Sequence, residues 1–482
     1  MNISVRKIGL YTASVGFLVS SCQNKNVEPP NIIMICVDDL GWPDVAYNGS
    51  PWKTPNIDNL ASRGMIFNQA YAAAAVSSPT RASIMTGRVP ARLGITDWMR
   101  NGFQGIEISE NMKNPSGYLT RPNWKLSCPE NALWMESDEI TIPELLKKAG
   151  YTSAHIGKWH LGPAPWFPEK QGFDINIGGK DFGSPPSYFD PYIRGNASIE
   201  SMPPREEGEY LTDREADEAV RFIKENKNQL FYLNLWHYGV HRPLQAKDNK
   251  ISELKKEIDA RYKEEYVYAA MVKSVDDAVG KIIEALEELN LTDNTMIVFF
   301  SDNGGSQLSY QGACDPLRMG KGYPYEGGIR VPMIISWPGV VKQGTECNEP
   351  VSSIDFLPTF CAAAGVNIPT DRAIDGLDLG GLLRQKDKLP RTDLFWHFPH
   401  YWWGDRVKPF SIIRSGDYKL IKLWEDEVYE LYNIKNDFRE TTNIVENMPD
   451  KVNELKNKLD NWLLDTNAKL PFVNKDFKKI DN

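Results

Sequence analysis

Four apolar segments of the sequence are each followed by polar side chains that could act on a bound ligand. The polar residues are Asp38 and Asp39 after residues 31–37, Lys158 and His160 after 151–156, His241 after 230–235, and Asp302 and Asn303 after 295–300. If these segments are parallel strands, their carboxyl ends lie at one edge of a sheet and bring the side chains together. Carboxylate and amide oxygens are the ligands that Ca²⁺ and Mg²⁺ prefer. The pattern therefore predicts a cation site flanked by basic groups, although each Asp alone is also typical of a turn or a helix cap.

A second candidate for chemistry is Ser77, which lies just before the predicted helix over residues 79–86. A serine close to a proline at the start of a helix is a common N-cap, which is a purely structural role. The same position also meets free backbone N–H groups and the positive end of the helix dipole, which favour an anionic nucleophile or a tetrahedral oxyanion. The residues alone leave both interpretations open.

Ser77 opens a longer pattern, Ser77-x-Pro79-x-Arg81-x-x-x-Met85-Thr86-Gly87-Arg88. This pattern resembles the signature of the type I sulfatases of the alkaline-phosphatase superfamily, in which a Cys or Ser at the first position is oxidised to formylglycine. With Ser77 the chain resembles the serine-type members, while Thr80 and Ile84 differ from the family's usual Ser and Leu. Further matches follow in the family's order within residues 31–337: Asp38-Asp39, Gly157-Lys158-Trp159-His160, His241-Arg242-Pro243, Ser301-Asp302-Asn303-Gly304, and Lys321 ahead of Tyr325-Glu326-Gly327-Gly328-Ile329-Arg330-Val331-Pro332.

The resemblance implies a mechanism and a role for each matching residue. One Ca²⁺ ion would be held by Asp38, Asp39, Asp302, Asn303 and an oxygen of residue 77. The hydrated aldehyde at position 77 would attack sulfur, His241 would protonate the leaving sugar oxygen, and His160 would take the second hydroxyl proton. Lys158 and Lys321 would neutralise the sulfate oxygens, and Arg81 would help to hold the diol. The resemblance also implies a partner, a radical-type sulfatase-maturating enzyme that acts on Ser77.

The elements that must position these residues alternate between apolar runs and helical patterns, which predicts an α/β domain. By resemblance its sheet is large, mixed and mostly parallel, and helices cover both faces as in alkaline phosphatase. From about residue 394, short apolar runs around turn signals predict an antiparallel sheet, followed by a helix over residues 451–464. The predicted organisation is a lipoprotein signal at 1–22, a tether at 23–30, a catalytic domain at 31–380 and a C-terminal α+β subdomain at 381–482.

An aromatic and polar segment, residues 396–406, opens the predicted subdomain. Its Pro and Gly predict a loop. Its rings could simply pack between the domains, or they could stack on a sugar while His397, His400, Asp405 or Arg406 bonds the sugar hydroxyls. His237 precedes the loop that carries His241 and could orient that loop or contact substrate, with neither role favoured.

The first residues are typical of an export signal, with Arg6 and Lys7 ahead of an apolar run over residues 8–19. Leu18-Val19-Ser20-Ser21-Cys22 resembles a bacterial lipoprotein processing box, in which Cys22 is lipidated. The alternative is a plain secretory signal with an incidental cysteine. We expect an exported, lipid-anchored protein of the periplasm or outer membrane of a Gram-negative bacterium, with no other membrane contact.

Composition narrows the function classes further. The 55 Lys and Arg against 64 Asp and Glu give a net charge of −9, which lacks the basic footprint of a nucleic-acid binder. The expected activity is hydrolysis of sulfate esters of a carbohydrate: a glycosaminoglycan, a mucin glycan or an algal glycan. One alternative is a phosphatase or phosphonate hydrolase of the same superfamily, which Asn303 and the six histidines argue against because such enzymes build a two-metal zinc site. Another is a glycan-binding lipoprotein in which Ser77 is never converted.

Overall fold

The computed structural model describes residues 28–100, 108, 109, 111–203, 205–259, 265–310 and 313–478. The predicted signal, Cys22 and most of the predicted tether lie outside these ranges. The strands are, in chain order, β1 (Asn31–Val37), β2 (Met65–Phe67), β3 (Ala70–Tyr71), β4 (Tyr118–Leu119), β5 (Leu126–Pro129), β6 (Thr152–Gly157), β7 (Ile175–Ile177), β8 (Ile193–Arg194), β9 (Ala197–Ser198), β10 (Phe231–Trp236), β11 (Thr295–Ser301), β12 (Met333–Ser336), β13 (Thr345–Cys347), β14 (Val351–Ser352), β15 (Asp393–Phe398), β16 (Phe410–Ser415), β17 (Tyr418–Leu423), β18 (Val428–Asn433) and β19 (Phe472–Val473).

The helices surround the sheets and vary widely in length. They are, in chain order, α1 (Pro55–Ser62), α2 (Ser77–Thr86), α3 (Pro90–Leu93), α4 (Ile142–Lys147), α5 (Leu211–Glu225), α6 (Asp248–Glu257), α7 (Tyr266–Glu288), α8 (Glu326–Ile329), α9 (Phe356–Ala364), α10 (Gly380–Leu383) and α11 (Pro449–Asp465). The longest of these helices, α7, begins at Tyr266, and a separate helix, α6, precedes it. Within the described ranges, no helix is long and apolar enough to cross a bilayer.

The large sheet has the strand order β13-β2-β12-β11-β1-β10-β6-β7. Strand β12 runs antiparallel to both of its neighbours, and the other pairs are parallel. Strand β1 lies near the centre and is buried along its whole length, as its continuous apolar sequence predicts. The predicted mixed, mostly parallel sheet is therefore confirmed.

Helices cover both faces of this sheet because successive side chains of a strand point to opposite sides. Ile33, Ile35 and Val37 of β1 pack in one core with apolar residues of α1, α5 and α7. Ile32 and Met34 pack in a second core with residues of α2, α4 and α9. The sheet is thus sandwiched between two helical layers, as predicted.

A small antiparallel sheet follows, with the order β15-β16-β17-β18, and helix α11 packs against it. This confirms the predicted sheet and helix, but the prediction that residues 396–398 lie in a loop is wrong, because they belong to β15. Trp396 points toward the large domain, where its Nε1 donates to the carbonyl of Ala72 at 2.8 Å. Its ring also meets the Tyr71 ring edge-on, so this strand fixes the small sheet against the segment that precedes Ser77.

Candidate active site

Strands β6, β10, β1 and β11 lie side by side, and their carboxyl ends reach the same level. The aligned residue pairs are Gly157 with Trp236, Cys36 with Trp236, and Val37 with Ser301. Backbone hydrogen bonds continue past the strand ends, from Lys158 to Trp236 at 2.7 Å, from His237 to Cys36 at 2.9 Å, and from Asp302 to Val37 at 3.2 Å. The predicted convergence of polar residues at one sheet edge is therefore what the structure shows.

Ser77 is the first residue of α2, and its N-cap is Val76 in extended conformation. The N-cap interpretation of Ser77 is therefore wrong by one position, since Val76 occupies the cap. The hydroxyl is directed to the strand ends: Oγ lies 3.3 Å from Asp38 Oδ1, 3.2 Å from Asn303 Oδ1 and 3.2 Å from Lys158 Nζ. Only 2% of the residue's surface is exposed, so this hydroxyl sits at the bottom of the site.

Three carboxylates and three basic side chains form a buried network around Ser77. The ion pairs are Lys158 Nζ with Asp38 Oδ2 at 2.6 Å, Lys321 Nζ with Asp39 Oδ1 at 2.5 Å, and Arg81 Nη2 with Asp302 Oδ2 at 2.8 Å. Asn303 joins the network by donating from Nδ2 to Asp39 Oδ1 at 2.8 Å. The formal charges of the three pairs cancel, which is what makes burial of so many ions tolerable.

The two aspartates that follow β1 have opposite pKa shifts. Burial raises the pKa of Asp38 to about 7, although the Lys158 ammonium opposes that shift. Burial acts in the same direction on Asp39, but the ammonium of Lys321 and the ring of His241 hold the pKa of this carboxyl well below its usual range. Burial lowers the pKa of Lys158, whereas Asp39 outweighs the effect of burial and raises the pKa of Lys321.

Arg81 is buried and held on several sides. Its Nε donates to Asp302 Oδ2 at 2.9 Å, its Nη1 donates to the carbonyl of Lys158 at 3.2 Å, and its guanidinium lies 5.0 Å above the ring of Trp236. Burial alone would lower the pKa of Arg81, but Asp302 outweighs it and raises that pKa. Arg81 is therefore a fixed positive charge one helical turn from Ser77.

The residues at the strand ends fit a hard divalent cation. Oxygens of Asp38 and Asp39 and a ring nitrogen of His241 all lie within 4.8 Å of one another. In this structure Asp302 Oδ2 pairs with Arg81, and its Oδ1 lies 3.3 Å from the backbone nitrogen of Asp39. Ligation by Asp302 and Asn303 stays a prediction.

His241 and His160 face the same space from different strands. The Nδ1 of His241 lies 2.8 Å from the carbonyl of Arg242, so it donates there, while Nε2 lies 3.6 Å from Asp39 Oδ2. Burial, opposed by Asp39, lowers the pKa of His241 to about 3. His160 donates from Nε2 to the carbonyl of Met99 at 2.9 Å, which leaves its Nδ1 buried without a hydrogen-bond partner among the described residues. Burial and Lys158 lower the pKa of His160, so this ring is neutral.

His237 is fully buried, and sequence reasoning missed its partner, Glu215 of α5. His237 Nδ1 lies 2.7 Å from Glu215 Oε2, and the backbone nitrogen of Tyr238 donates to Glu215 Oε1 at 3.3 Å. Of the two roles considered, this geometry favours orientation of the loop that leads to His241. A detectable signal did exist: Glu215 lies on the buried face of α5 with Leu211, Ala219 and Phe222, where an apolar residue is expected.

The site opens into a pocket of about 230 Å³. Its lining residues are Val76, Ser77, Trp98, Met99, His160, Gly183, Ser184, His241, Lys321 and Trp402. Trp402 comes from the segment after β15 and lies directly against Gly322, where a Cβ would stand 2.2 Å from the indole ring. Two tryptophans therefore enclose the pocket, and neither was among the predicted site residues.

The predicted substrate residues of the 396–406 segment fall in three different environments. Both ring nitrogens of His397 are occupied, by the Ser411 hydroxyl at 2.7 Å and the Lys469 carbonyl at 3.0 Å, so neither is free for a sugar. His400 lines a neighbouring cavity. Asp405 and Arg406 lie exposed in the turn after Trp402, so their contact with substrate stays a prediction.

The chain is similar to sulfatases in its sequence. Residues 30–366 match the family model Sulfatase, and residues 319–469 match the model N-sulphoglucosamine sulphohydrolase, C-terminal. A sulfatase of Formosa agariphila is 30% identical, covering 98% of this chain and 96% of its own. The N-acetylgalactosamine-6-sulfatase of Homo sapiens is 34% identical, covering 78% of this chain and 72% of its own.

The fold of this chain is also similar to those of solved structures. The crystal structure of Ps i-CgsB in complex with k-i-k-neocarrahexaose has a TM-score of 0.76 and 31% identity, covering 91% of this chain and 94% of that chain. The chain therefore belongs to the sulfatase family and is a sulfuric ester hydrolase with the alkaline-phosphatase-like fold.

Proposed function

We propose that this protein hydrolyses sulfate esters of a carbohydrate, using a formylglycine formed from Ser77 and one Ca²⁺ ion. The observation that carries the proposal is the position of the Ser77 hydroxyl, within 3.3 Å of Asp38, Asn303 and Lys158 at the bottom of a pocket. The relatives named for their substrates act on N-acetylgalactosamine 6-sulfate or were solved with a carrageenan oligosaccharide. These names support a sulfated sugar as the substrate class.

The charge balance of the site favours an anionic substrate once a cation is present. The Asp38–Lys158, Asp39–Lys321 and Asp302–Arg81 pairs cancel in formal charge. A divalent cation held by Asp38, Asp39 and their neighbours would leave the pocket positive, and a sulfate monoester would then reduce that excess charge. Lys321 and Lys158 are the proposed partners of the sulfate oxygens, because a cation held by Asp38 and Asp39 would take over part of the charge that the two ammonium groups now balance.

A hydrated formylglycine at position 77 would supply the nucleophilic oxygen, and a Ca²⁺ ion held by Asp38, Asp39 and their neighbours would supply positive charge beside it. His241 is the proposed proton donor to the leaving sugar oxygen, since its ring lines the pocket and its Nδ1 is held by the Arg242 carbonyl. The role requires a second proton on Nε2, and the negative charge of a bound sulfate ester would favour that protonated ring. His160 is the proposed base, because its Nδ1 has no hydrogen-bond partner among the described residues and the ring lines the same pocket. Arg81, fixed by Asp302, is the proposed support of the hydrated aldehyde at position 77.

The N-terminal residues around Cys22 bear on the location of the protein in the cell. We infer export and lipid anchoring at Cys22, in the periplasm or outer membrane of a Gram-negative bacterium, from the residues that flank this cysteine. Conversion of Ser77 requires a radical-type sulfatase-maturating enzyme as a partner. Labelling with a radioactive fatty acid, compared between the native chain and Cys22→Ala, tests the anchor: loss of label supports it, and retained label contradicts it.

The activity is tested on protein produced together with such a maturating enzyme. We expect the peptide that contains residue 77 to be lighter by two hydrogens, and we expect sulfate release from one or more of 4-O- and 6-O-sulfated galactose and N-acetylgalactosamine. Ser77→Ala should abolish release, whereas Ser83→Ala in the same helix should not, because the Ser83 hydroxyl has no hydrogen-bond partner among the described residues. Undiminished activity in Ser77→Ala contradicts the proposal, and two bound zinc ions per chain would favour the phosphatase alternative.

A further inference from the structure

A second cavity, also of about 230 Å³, adjoins the active-site pocket and shares Trp98 with it. Both domains contribute to its walls, since Trp124 and Asp97 come from the first domain and His400 and Tyr401 come from the segment after β15. The volume lies below the roughly 300–1,000 Å³ of pockets that enclose drug-sized ligands, so it suits a single small ring. None of the catalytic residues assigned above lines this cavity.

Aromatic rings form part of the cavity wall. Trp124 stacks on Tyr401 with ring centroids 4.6 Å apart and an angle of 27° between the planes. Arg121 covers the ring of Trp124 at 4.7 Å, and Arg100 lies 5.4 Å from the Trp98 ring. These contacts hold the indoles in place. Tyr401 and Arg121 cover the two faces of Trp124, so the aromatic surface offered to the C–H face of a sugar is that of the half-buried Trp98, which lines both cavities.

A buried carboxylate provides the polar part of the cavity. Asp97 is only 6% exposed, and the one hydrogen bond that its carboxylate accepts within the described part of the chain comes from the backbone nitrogen of Trp98, at 2.8 Å. A carboxylate can accept several hydrogen bonds, so Asp97, which lines the cavity, keeps acceptor capacity for a ligand there. Burial raises the pKa of Asp97 to about 7. The unused oxygen capacity suits the adjacent hydroxyls of a sugar.

The charges around the cavity distinguish between kinds of sugar. Asp97 and Glu130 are acidic, and Arg100 is the basic residue among the described lining residues. The ring of His400, which pairs through Nε2 with the Thr96 hydroxyl at 2.7 Å, is neutral because burial lowers its pKa to about 3. The lining therefore has no excess positive charge to attract a carboxylate or a second sulfate.

We propose that this cavity binds an uncharged sugar ring that is glycosidically linked to the sulfated sugar in the active-site pocket, with Asp97 accepting hydrogen bonds from its hydroxyls. The inference rests on the proposed function and narrows it. The substrate is then a glycan in which the sulfated unit is joined to a neutral hexose or N-acetylhexosamine, and not one in which it is joined to a uronate.

The test compares three substrates of the mature enzyme. They are the sulfated monosaccharide with the highest kcat/KM in the panel above, the same sugar linked to galactose, and the same sugar linked to glucuronate. We expect galactose to raise kcat/KM by about tenfold or more and glucuronate to give no such gain. Asp97→Asn should remove most of the gain and leave the monosaccharide rate unchanged. Asp138→Asn, an exposed carboxylate outside the cavity, should leave all three values unchanged.

Equal kcat/KM for the three substrates of the unmodified sequence would overturn the inference, as would a full galactose gain in Asp97→Asn. Failure of the proposed function is a separate result, namely no sulfate release from any sugar by protein with converted Ser77. In that case calorimetry on Ser77→Ala with 6-O-sulfated galactose, alone and linked to galactose, decides the question. Tighter binding of the disaccharide that is lost in Ser77→Ala combined with Asp97→Asn would support the inference, and equal affinities would overturn it.

Discussion

The two cavities that meet at Trp98 have similar volumes and opposite electrostatic designs. In the active-site pocket every buried carboxylate is paired with a buried cation, as in the contacts of Lys158 with Asp38 and of Lys321 with Asp39. In the neighbouring cavity Asp97 is buried with one backbone hydrogen bond and stacked aromatic rings. The paired charges of the active-site pocket suit a sulfate ester, whose charge distribution changes during the reaction. The cavity with Asp97 suits a neutral ligand that donates hydrogen bonds.

The largest predicted difference between the cavities concerns Lys321. Lys321→Ala removes a cation from the active-site pocket and leaves the buried Asp39 without its partner. We expect kcat to fall by about 10²–10³-fold on every sulfate ester, which is typical of removing one preorganised charge from a site that stabilises an anion. Steady-state kinetics on 4-nitrophenyl sulfate and on a sulfated sugar measure the effect, with the exposed Lys148→Ala as control. A loss below tenfold, or a loss on one substrate only, would contradict the electrostatic role of Lys321.

A second prediction separates orientation from direct contact in the active site. Glu215 is buried and is not among the described residues that line the active-site pocket; it holds His237 and the backbone of Tyr238, which precede His241. Because such indirect partners typically contribute 10- to 100-fold, Glu215→Gln should lower kcat by about that factor with little change in KM. Glu225→Gln at the exposed end of the same helix is the matched control. A rise in KM with unchanged kcat would place this residue in substrate binding instead.

A third prediction concerns the buried charge of the neighbouring cavity. The pKa of Asp97 is raised to about 7 in the folded protein, above the ordinary value of 3.8, so the folded state holds the proton more tightly than the unfolded state. The contribution of Asp97 to the free energy of unfolding therefore falls as the pH rises from about 4 toward 7. Relative to the unmodified chain, Asp97→Asn should gain about 2 kcal/mol in the free energy of unfolding between pH 5 and pH 7. Urea unfolding at several pH values measures this difference, and a difference that does not change with pH would show that Asp97 is not the titrating group.

The smallest predicted effect concerns Trp402, which encloses the active-site pocket from the second domain. Trp402→Ala should lower kcat/KM for a sulfated glycan about tenfold through lost contact with the sugar, and should affect 4-nitrophenyl sulfate less. Trp403→Ala is the matched control, since the pocket lining includes only the first of these two tryptophans among the described residues. Equal losses on both substrates would assign Trp402 a structural role.

The same contrast explains what the sequence could predict. The active-site residues follow buried strands, and the apolar runs of β1, β6, β10 and β11 are local features of the sequence. The rule that parallel strands end at one edge of a sheet then brings Asp38, Lys158 and Asp302 together without further information. The Ser77 pattern, together with the further motifs in the family's order, identified the family resemblance, and this resemblance predicted both the fold and the chemistry.

The walls of both cavities could not be predicted in this way, because they form between distant parts of the chain. Trp98 and Trp402 are separated by about three hundred residues, and no local pattern relates them. The assignment of residues 396–398 to a loop failed for a local reason, since Pro399 and Gly404 outweighed the alternation of Leu394, Trp396 and Phe398 that is typical of a strand. The predicted sugar contact of His397 depended on the same loop assignment. In β15 both ring nitrogens of His397 contact protein partners.

The central claim is that converted Ser77 performs the reaction, and one measurement tests it most directly. Preparations made with graded amounts of a maturating enzyme differ in the fraction of residue 77 that has lost two hydrogens, which mass spectrometry of the intact peptide gives. We expect kcat on a sulfated sugar to rise in direct proportion to this fraction and to extrapolate to zero activity at zero conversion. A rate that does not depend on the converted fraction, or that stays finite without conversion, would contradict the account.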